Sequence, residues 1–99
     1  MATSVTANFA FGAASVSSAG TAVQVESTAR RVRSVMILAK DSNTGRIFYG
    51  GSDVASSTQR GLAGGESVSL TSDKPFSLAT IYVDSSVNGE GVDWVATLG

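Results

Sequence analysis

The sequence predicts an all-β fold, a small antiparallel β-sandwich or jelly-roll-like barrel of seven to eight short strands. Two observations predict it. Val, Ser, Thr, Ala and Gly dominate while Glu, Lys, Gln and Leu are scarce, a composition that suits strands and turns better than long helices. Short alternating apolar runs are also separated by turn clusters at close spacing, which favours an antiparallel sandwich over any arrangement of alternating strands and helices.

The elements follow in order. Val5, Ala7, Phe9 and Phe11 fall on one face of a first strand, with Thr6, Asn8 and Ala10 on the other. After the turn-like Ser17-Ser18-Ala19-Gly20, Val23 and Val25 alternate with Gln24 and Glu26. From Val35 the run Val35-Met36-Ile37-Leu38-Ala39 is continuously apolar, as in a central strand covered on both faces. Asp41-Ser42-Asn43-Thr44-Gly45 supplies turn residues, and Arg46-Ile47-Phe48-Tyr49 resumes an extended pattern, so the pair reads as a hairpin. A long polar connection through Gly50-Gly51 and Gly64-Gly65 leads to a strand with Val68 and Leu70 on one face. Asp73-Lys74-Pro75 punctuates, residues 78–83 form the next strand, and Asn88-Gly89 marks a turn. In the last strand Val92, Trp94, Ala96 and Leu98 alternate against Asp93, Val95 and Thr97.

At 99 residues the chain holds one domain, residues 1–99, with a thin core. Residues 1–29 carry no Arg or Lys. They are either the first hairpin of the sandwich or an arm that orders against a neighbour, and the regular alternation through Phe11 favours the hairpin. The opening residues lack the basic start of a signal peptide and no run is long enough to span a bilayer, which predicts a soluble protein without a secretion address.

Chemistry is poorly supplied. With no cysteine and no histidine, the thiolate nucleophile, the usual proton shuttle and the commonest metal ligand are all missing. The serines have neither a base nor a nucleophile motif. Seven basic and eight acidic residues leave a formal charge of −1, without the electrostatic footprint of a nucleic-acid binder. Asp41-Ser42-Asn43-Thr44-Gly45 opens like a calcium loop, but Arg46 stands where glycine is required and Ser52 where a bidentate glutamate is required, so a turn is the better reading. Asp84, Glu90 and Asp93 are the one candidate carboxylate group for acid–base work, and near strand ends such residues are usually solvated. Arg30, Arg31 and Arg33 read as charges at an edge or strand entrance that discourage sheet-to-sheet aggregation. Gly50-Gly51 and Gly64-Gly65 lack the spacing of a phosphate loop. Trp94, Tyr82 and Tyr49 could line a sugar platform, but Trp94 and Tyr82 in particular sit in strand patterns that suit a core or interface. The expectation is a non-enzyme with no catalytic, metal or cofactor site.

Across residues 31–95 the landmarks Val35-Met36-Ile37-Leu38-Ala39-Lys40, Asn43-Thr44-Gly45-Arg46-Ile47-Phe48-Tyr49-Gly50-Gly51-Ser52-Asp53-Val54, Leu62-Ala63-Gly64-Gly65-Glu66-Ser67 and Ile81-Tyr82-Val83-Asp84-Ser85-Ser86-Val87-Asn88-Gly89-Glu90-Gly91-Val92 occur in that order. The pattern resembles small virion proteins of tailed bacteriophages, with Gly64 standing where that pattern has proline. The resemblance implies a capsid decoration or cement protein on the virion surface, made in the host cytoplasm. Such a protein binds the major capsid protein and copies of itself, a trimer first, and holds the head together by adhesion across capsomers. It needs no cofactor, nucleic acid, membrane or small-molecule substrate. The other readings are a tail or neck component and a carbohydrate-binding sandwich.

Overall fold

The structure is a computed structural model and describes residues 9–57 and 59–98. Seven antiparallel strands form two packed sheets: β1 (Phe9–Ser15), β2 (Val23–Gln24), β3 (Arg31–Ala39), β4 (Ile47–Gly50), β5 (Ser67–Ser77), β6 (Tyr82–Ser85) and β7 (Gly91–Leu98). One sheet has the order β1-β7-β3-β5 and the other β2-β6-β4. Among the described residues the single helical element is a three-residue 3-10 turn, Leu78–Thr80, capped by the Ser77 hydroxyl.

Odd-numbered strands make one sheet and even-numbered strands the other, so every connection crosses between layers. The pairings are nested: β1 with β7, β2 with β6, β3 with β5, all around β4. This is the winding of a jelly roll reduced by one strand. The missing partner of β4 survives as one bridge between Ile47 and Leu62, whose amides and carbonyls bond at 2.9 and 2.7 Å. Two residues further along β4, the Gln59 side chain takes over. Its Oε1 accepts from the Tyr49 amide (2.9 Å) and its Nε2 donates to the Tyr49 carbonyl (2.8 Å), as a strand backbone would.

This topology corrects two expectations. The segments flanking Asp41-Ser42-Asn43-Thr44-Gly45 are not a hairpin, because β3 and β4 lie in opposite sheets. Residues 9–29 are not a hairpin either: Phe9–Ser15 is a strand of the sandwich, but its partner is β7 at the far end of the sequence, and residues 1–8 lie outside the described residues. In both places the turn chemistry is real and reverses the chain, but a turn between apolar runs does not say whether the chain returns beside its strand or behind it. The expected strand at 78–83 also begins later, since Leu78–Thr80 is the 3-10 turn. Asp73-Lys74-Pro75 lies inside β5 as a protrusion: Val32 faces Phe76 and Ser34 faces Thr71, so four residues of β5 stand opposite one of β3.

The core lies between the sheets and is built from Val32, Val35, Ile37 and Ala39 of β3, Val92, Trp94 and Ala96 of β7, and Val16, Ile47, Leu78 and Val83 among others. Burying each of the valine, isoleucine and leucine side chains among them contributes about 1.5–3 kcal/mol. Trp94, 3% exposed, lies under β1, where its ring fills the space that side chains from Gly12 would enter; a Cβ there would stand 2.8 Å from the ring. That crowding accounts for the face β1 turns toward the core: Ala10 points inward, and Phe9 and Phe11 point out.

At the top of the sandwich the β3–β4 and β6–β7 connections are tied together. The Thr44 amide (2.6 Å) and hydroxyl (2.9 Å) donate to Glu90 Oε2, and the Gly45 amide donates to Oε1 (2.8 Å). Asn43 Nδ2 donates to the Gly91 carbonyl (2.8 Å), and the Arg46 amide to the Ser86 hydroxyl (2.9 Å). The amides of Thr44 and Gly45 hold the Glu90 carboxyl below its ordinary value of 4.5. A lowered folded-state pKa means that the unfolded chain binds its proton first as pH falls. The contribution of this clamp is therefore complete above the ordinary carboxylate range and is lost as pH falls through the folded value. Acid titration is expected to loosen residues 43–46 and 86–91 before the core melts, seen as faster amide exchange there, and Glu90→Gln is expected to remove that pH dependence.

Candidate interaction surface

The two sheets differ on their outer faces. The outer side of β2-β6-β4 is covered by the chain's own loops. Phe48 is buried apart from the main core, with Gly61 close against its ring, and Val54 is buried near Gly50. Asp84, 2% exposed, accepts from the Gly20 amide of the β1–β2 connection (2.9 Å) and from the Ser85 amide (2.8 Å).

The outer side of β1-β7-β3-β5 is bare among the described residues. Because side chains alternate along a strand, register places Phe11, Val95, Met36 and Ser69 in one row across all four strands. Phe9, Thr97, Ser34 and Thr71 form the next row, and Ala13, Asp93, Leu38 and Ser67 the row on the other side. Phe11 is 80% exposed, Phe9 62%, Val95 50% and Met36 46%. A phenylalanine held in mid-strand at that exposure contributes little to the fold that presents it, and contiguous apolar surface of this kind marks contact sites. Towards β5 the face becomes hydroxyl-rich, with an open depression of about 230 Å³ lined by Ser34, Met36, Ser69, Thr71, Val95 and Thr97. The ionisable groups at its upper margin, Lys40 and Asp93, pair at 2.7 Å. The apolar stripe itself carries no charge.

No family model matches this sequence, and no curated protein or solved structure is significantly similar to it. The surface is therefore read from its own chemistry.

The expected central strand is central, since β3 lies between β7 and β5, but among the described residues only one of its faces is covered: Met36 and Leu38 look outward. The alternation of exposure was legible along β7 but hidden along β1 and β3, because there apolar residues occupy both faces. The signal that could have found the surface is that doubling, together with the scarcity of matching apolar residues on β5, where serines and a threonine alternate with Val68 and Leu70.

The chemistry-bearing candidates are dispersed. Asp84 is buried beneath a loop, Glu90 clamps a turn and Asp93 pairs with Lys40, so the three carboxylates have separate structural tasks. Asp41 and Asn43 gather no acidic partners, and no group of three or more metal-ligating side chains occurs among the described residues. Arg31 and Arg33 are exposed at the entrance of β3, which is an interior strand and not an edge. Of the three aromatics of the sugar-platform reading, Trp94 faces the core, and Tyr49 packs against it half-buried. Neither offers an open ring for stacking.

Proposed function

We propose that this protein is a structural component of a phage virion, a decoration or cement protein that attaches to the capsid shell by adhesion through the outer face of β1-β7-β3-β5. The observation that carries the reading is the uncharged stripe of Phe9, Phe11, Val95 and Met36, displayed on a sheet whose opposite side already holds the core. A chain of this size has little apolar surface to spare. Leaving four large apolar side chains in water is reasonable where they are covered in the assembled particle. Two further points support the reading: jelly-roll architecture recurs in viral shell proteins, and the carboxylates of Asp84, Glu90 and Asp93 are taken up by hydrogen bonds and an ion pair within the fold. Fold alone carries no function, so the weight rests on the face.

The test is co-sedimentation with empty capsids of the source phage. Met36→Lys places a charge at the centre of the stripe on a side chain that is already half exposed. Stability is expected to change by no more than about 0.5 kcal/mol, while capsid binding weakens about tenfold or more, corresponding to at least about 1.4 kcal/mol. Capsids lacking the protein are expected to open at lower temperature and at higher ionic strength than complete ones. Equal resistance of the two kinds of capsid would refute the cement role.

A further inference from the structure

A sheet ends in two unpaired edges, and an unpaired edge is a template for another strand. Among the described residues, three of the four edges are short, occupied or interrupted. β5 is interrupted by the protrusion of residues 72–75, which carries Asp73, Lys74 and Pro75, the residue types that stop strand addition. β4 is occupied by the Leu62 bridge and the Gln59 amide. β2 is only two residues long. The fourth edge, the outer side of β1, has seven residues, Phe9-Ala10-Phe11-Gly12-Ala13-Ala14-Ser15, without a charge, a proline or a bulge.

We propose that the free edge of β1 pairs antiparallel with β1 of a second copy of this chain, joining two four-stranded sheets into one continuous eight-stranded sheet across a two-fold axis.

The backbone supplies the first argument. Val16 donates to the Glu90 carbonyl (2.9 Å) in continuation of the β1–β7 register, and in an antiparallel ladder every second residue bonds to the same neighbour. Ala10, Gly12 and Ala14 therefore bond to β7, and Phe9, Phe11, Ala13 and Ser15 direct their amides and carbonyls outward. The Lys40 amide, bonded to the Gly91 carbonyl (3.2 Å), confirms this phase from the other side of β7.

Self-complementarity supplies the second. An antiparallel strand pair is symmetric about a two-fold, so the same edge serves both partners. Outward-bonding residues must pair with outward-bonding residues. Phe9 and Phe11 of each copy consequently fall on one shared face, within the reach of direct or diagonal cross-strand neighbours. Electrostatics is the third argument, because the partner must tolerate an identical strand. The first ionisable side chain of the sequence is Glu26, so no like charges meet at the axis. A two-fold pairing also replaces the trimer implied by the resemblance with a dimer. It concerns a strand edge, whereas capsid attachment concerns a sheet face, so the two proposals can fail separately.

The test begins with the solution mass of the full chain by light scattering, expected to be twice the 10.0 kDa of one chain. Ala13→Pro removes an amide that faces outward and takes no bond from β7, so the fold is expected to persist while association weakens about tenfold or more. A second measurement does not depend on that variant folding. The chain contains no cysteine, so Phe11→Cys and Ala13→Cys each install one thiol beside the axis, and at least one is expected to give a disulfide-linked dimer on mild oxidation. Ser69→Cys, on the opposite edge, is expected to give no disulfide-linked dimer under the same conditions. A monomer at the highest soluble concentration, a trimer, or a dimer that cross-links through Ser69→Cys and not through β1 would overturn the pairing. Met36→Lys is expected to leave the dimer intact while weakening capsid attachment about tenfold or more.

Discussion

Trp94→Ala is expected to cost about 3–5 kcal/mol of folding stability, measured by chemical denaturation followed through far-UV circular dichroism. The ring is 3% exposed and lies between the sheets under Gly12, a position with no side chain to collapse into the space left behind. Small domains have a total stability near the lower part of the 5–15 kcal/mol range, so this single loss is expected to leave a substantial unfolded population at room temperature. Trp94→Phe is the informative comparison. The indole Nε1 is buried without a hydrogen-bond partner, and an unmet buried donor costs about 1–3 kcal/mol. Phenylalanine gives up ring volume but also removes that donor, so its net loss is expected to be well below half that of alanine. Equal losses for the two variants would show that the indole N–H is satisfied in solution.

Gly91→Ala is expected to be the next most damaging change and the most local. Gly91 begins β7 opposite Ser15, and a Cβ there would run into the Ala14 carbonyl and the Ser15 backbone. Those obstacles are main-chain atoms, which cannot rotate away as the end of a side chain can. Relief requires β1 to lift off β7 at its upper end. Overpacking of this kind costs about 1–3 kcal/mol and occasionally more. Because β1 is held to the sheet only through β7, the loss is expected to appear as increased amide exchange in residues 10–16, with β3 and β5 protected as before.

The all-β class was legible because it rests on composition and on short alternating runs, both of which survive in the structure as β1, β3, β5 and β7. Which strand lies beside which was not legible. Asp41-Ser42-Asn43-Thr44-Gly45 and Asn88-Gly89 carry strong reversal chemistry, yet both link strands in opposite sheets and are held by one another through Glu90 and Asn43. Nothing in the turn residues encodes that mutual support. The covered face of β1 was not legible either, for a specific reason: alternation separates Phe9 and Phe11 from Ala10 without saying which side meets the core, and the space beneath β1 is filled by Trp94, more than eighty residues away in the chain. The interaction surface was hidden for a related reason, since apolar residues on both faces of β1 and β3 leave nothing to mark which face is covered. The absence of cysteine and histidine is plain in the sequence, whereas the separate tasks of Asp84, Glu90 and Asp93 depend on which loops meet and show only in the structure.

The nested pairing also sets the order in which the molecule can be made. β7 comes last among the strands but lies in the interior of its sheet, between β1 and β3. Until residues 91–98 have left the ribosome, β1 has no partner, Trp94 is missing from the core, and Phe9 and Phe11 belong to a loose apolar segment. Local pairing gives the nascent chain little to start with, because β3 must wait for β5 and β2 for β6. Folds dominated by such distant pairings close slowly, and incomplete chains with open strand edges are prone to aggregate. Chains interrupted during synthesis are therefore expected to be the cell's main source of insoluble protein from this sequence, while finished chains close the sandwich in one late step.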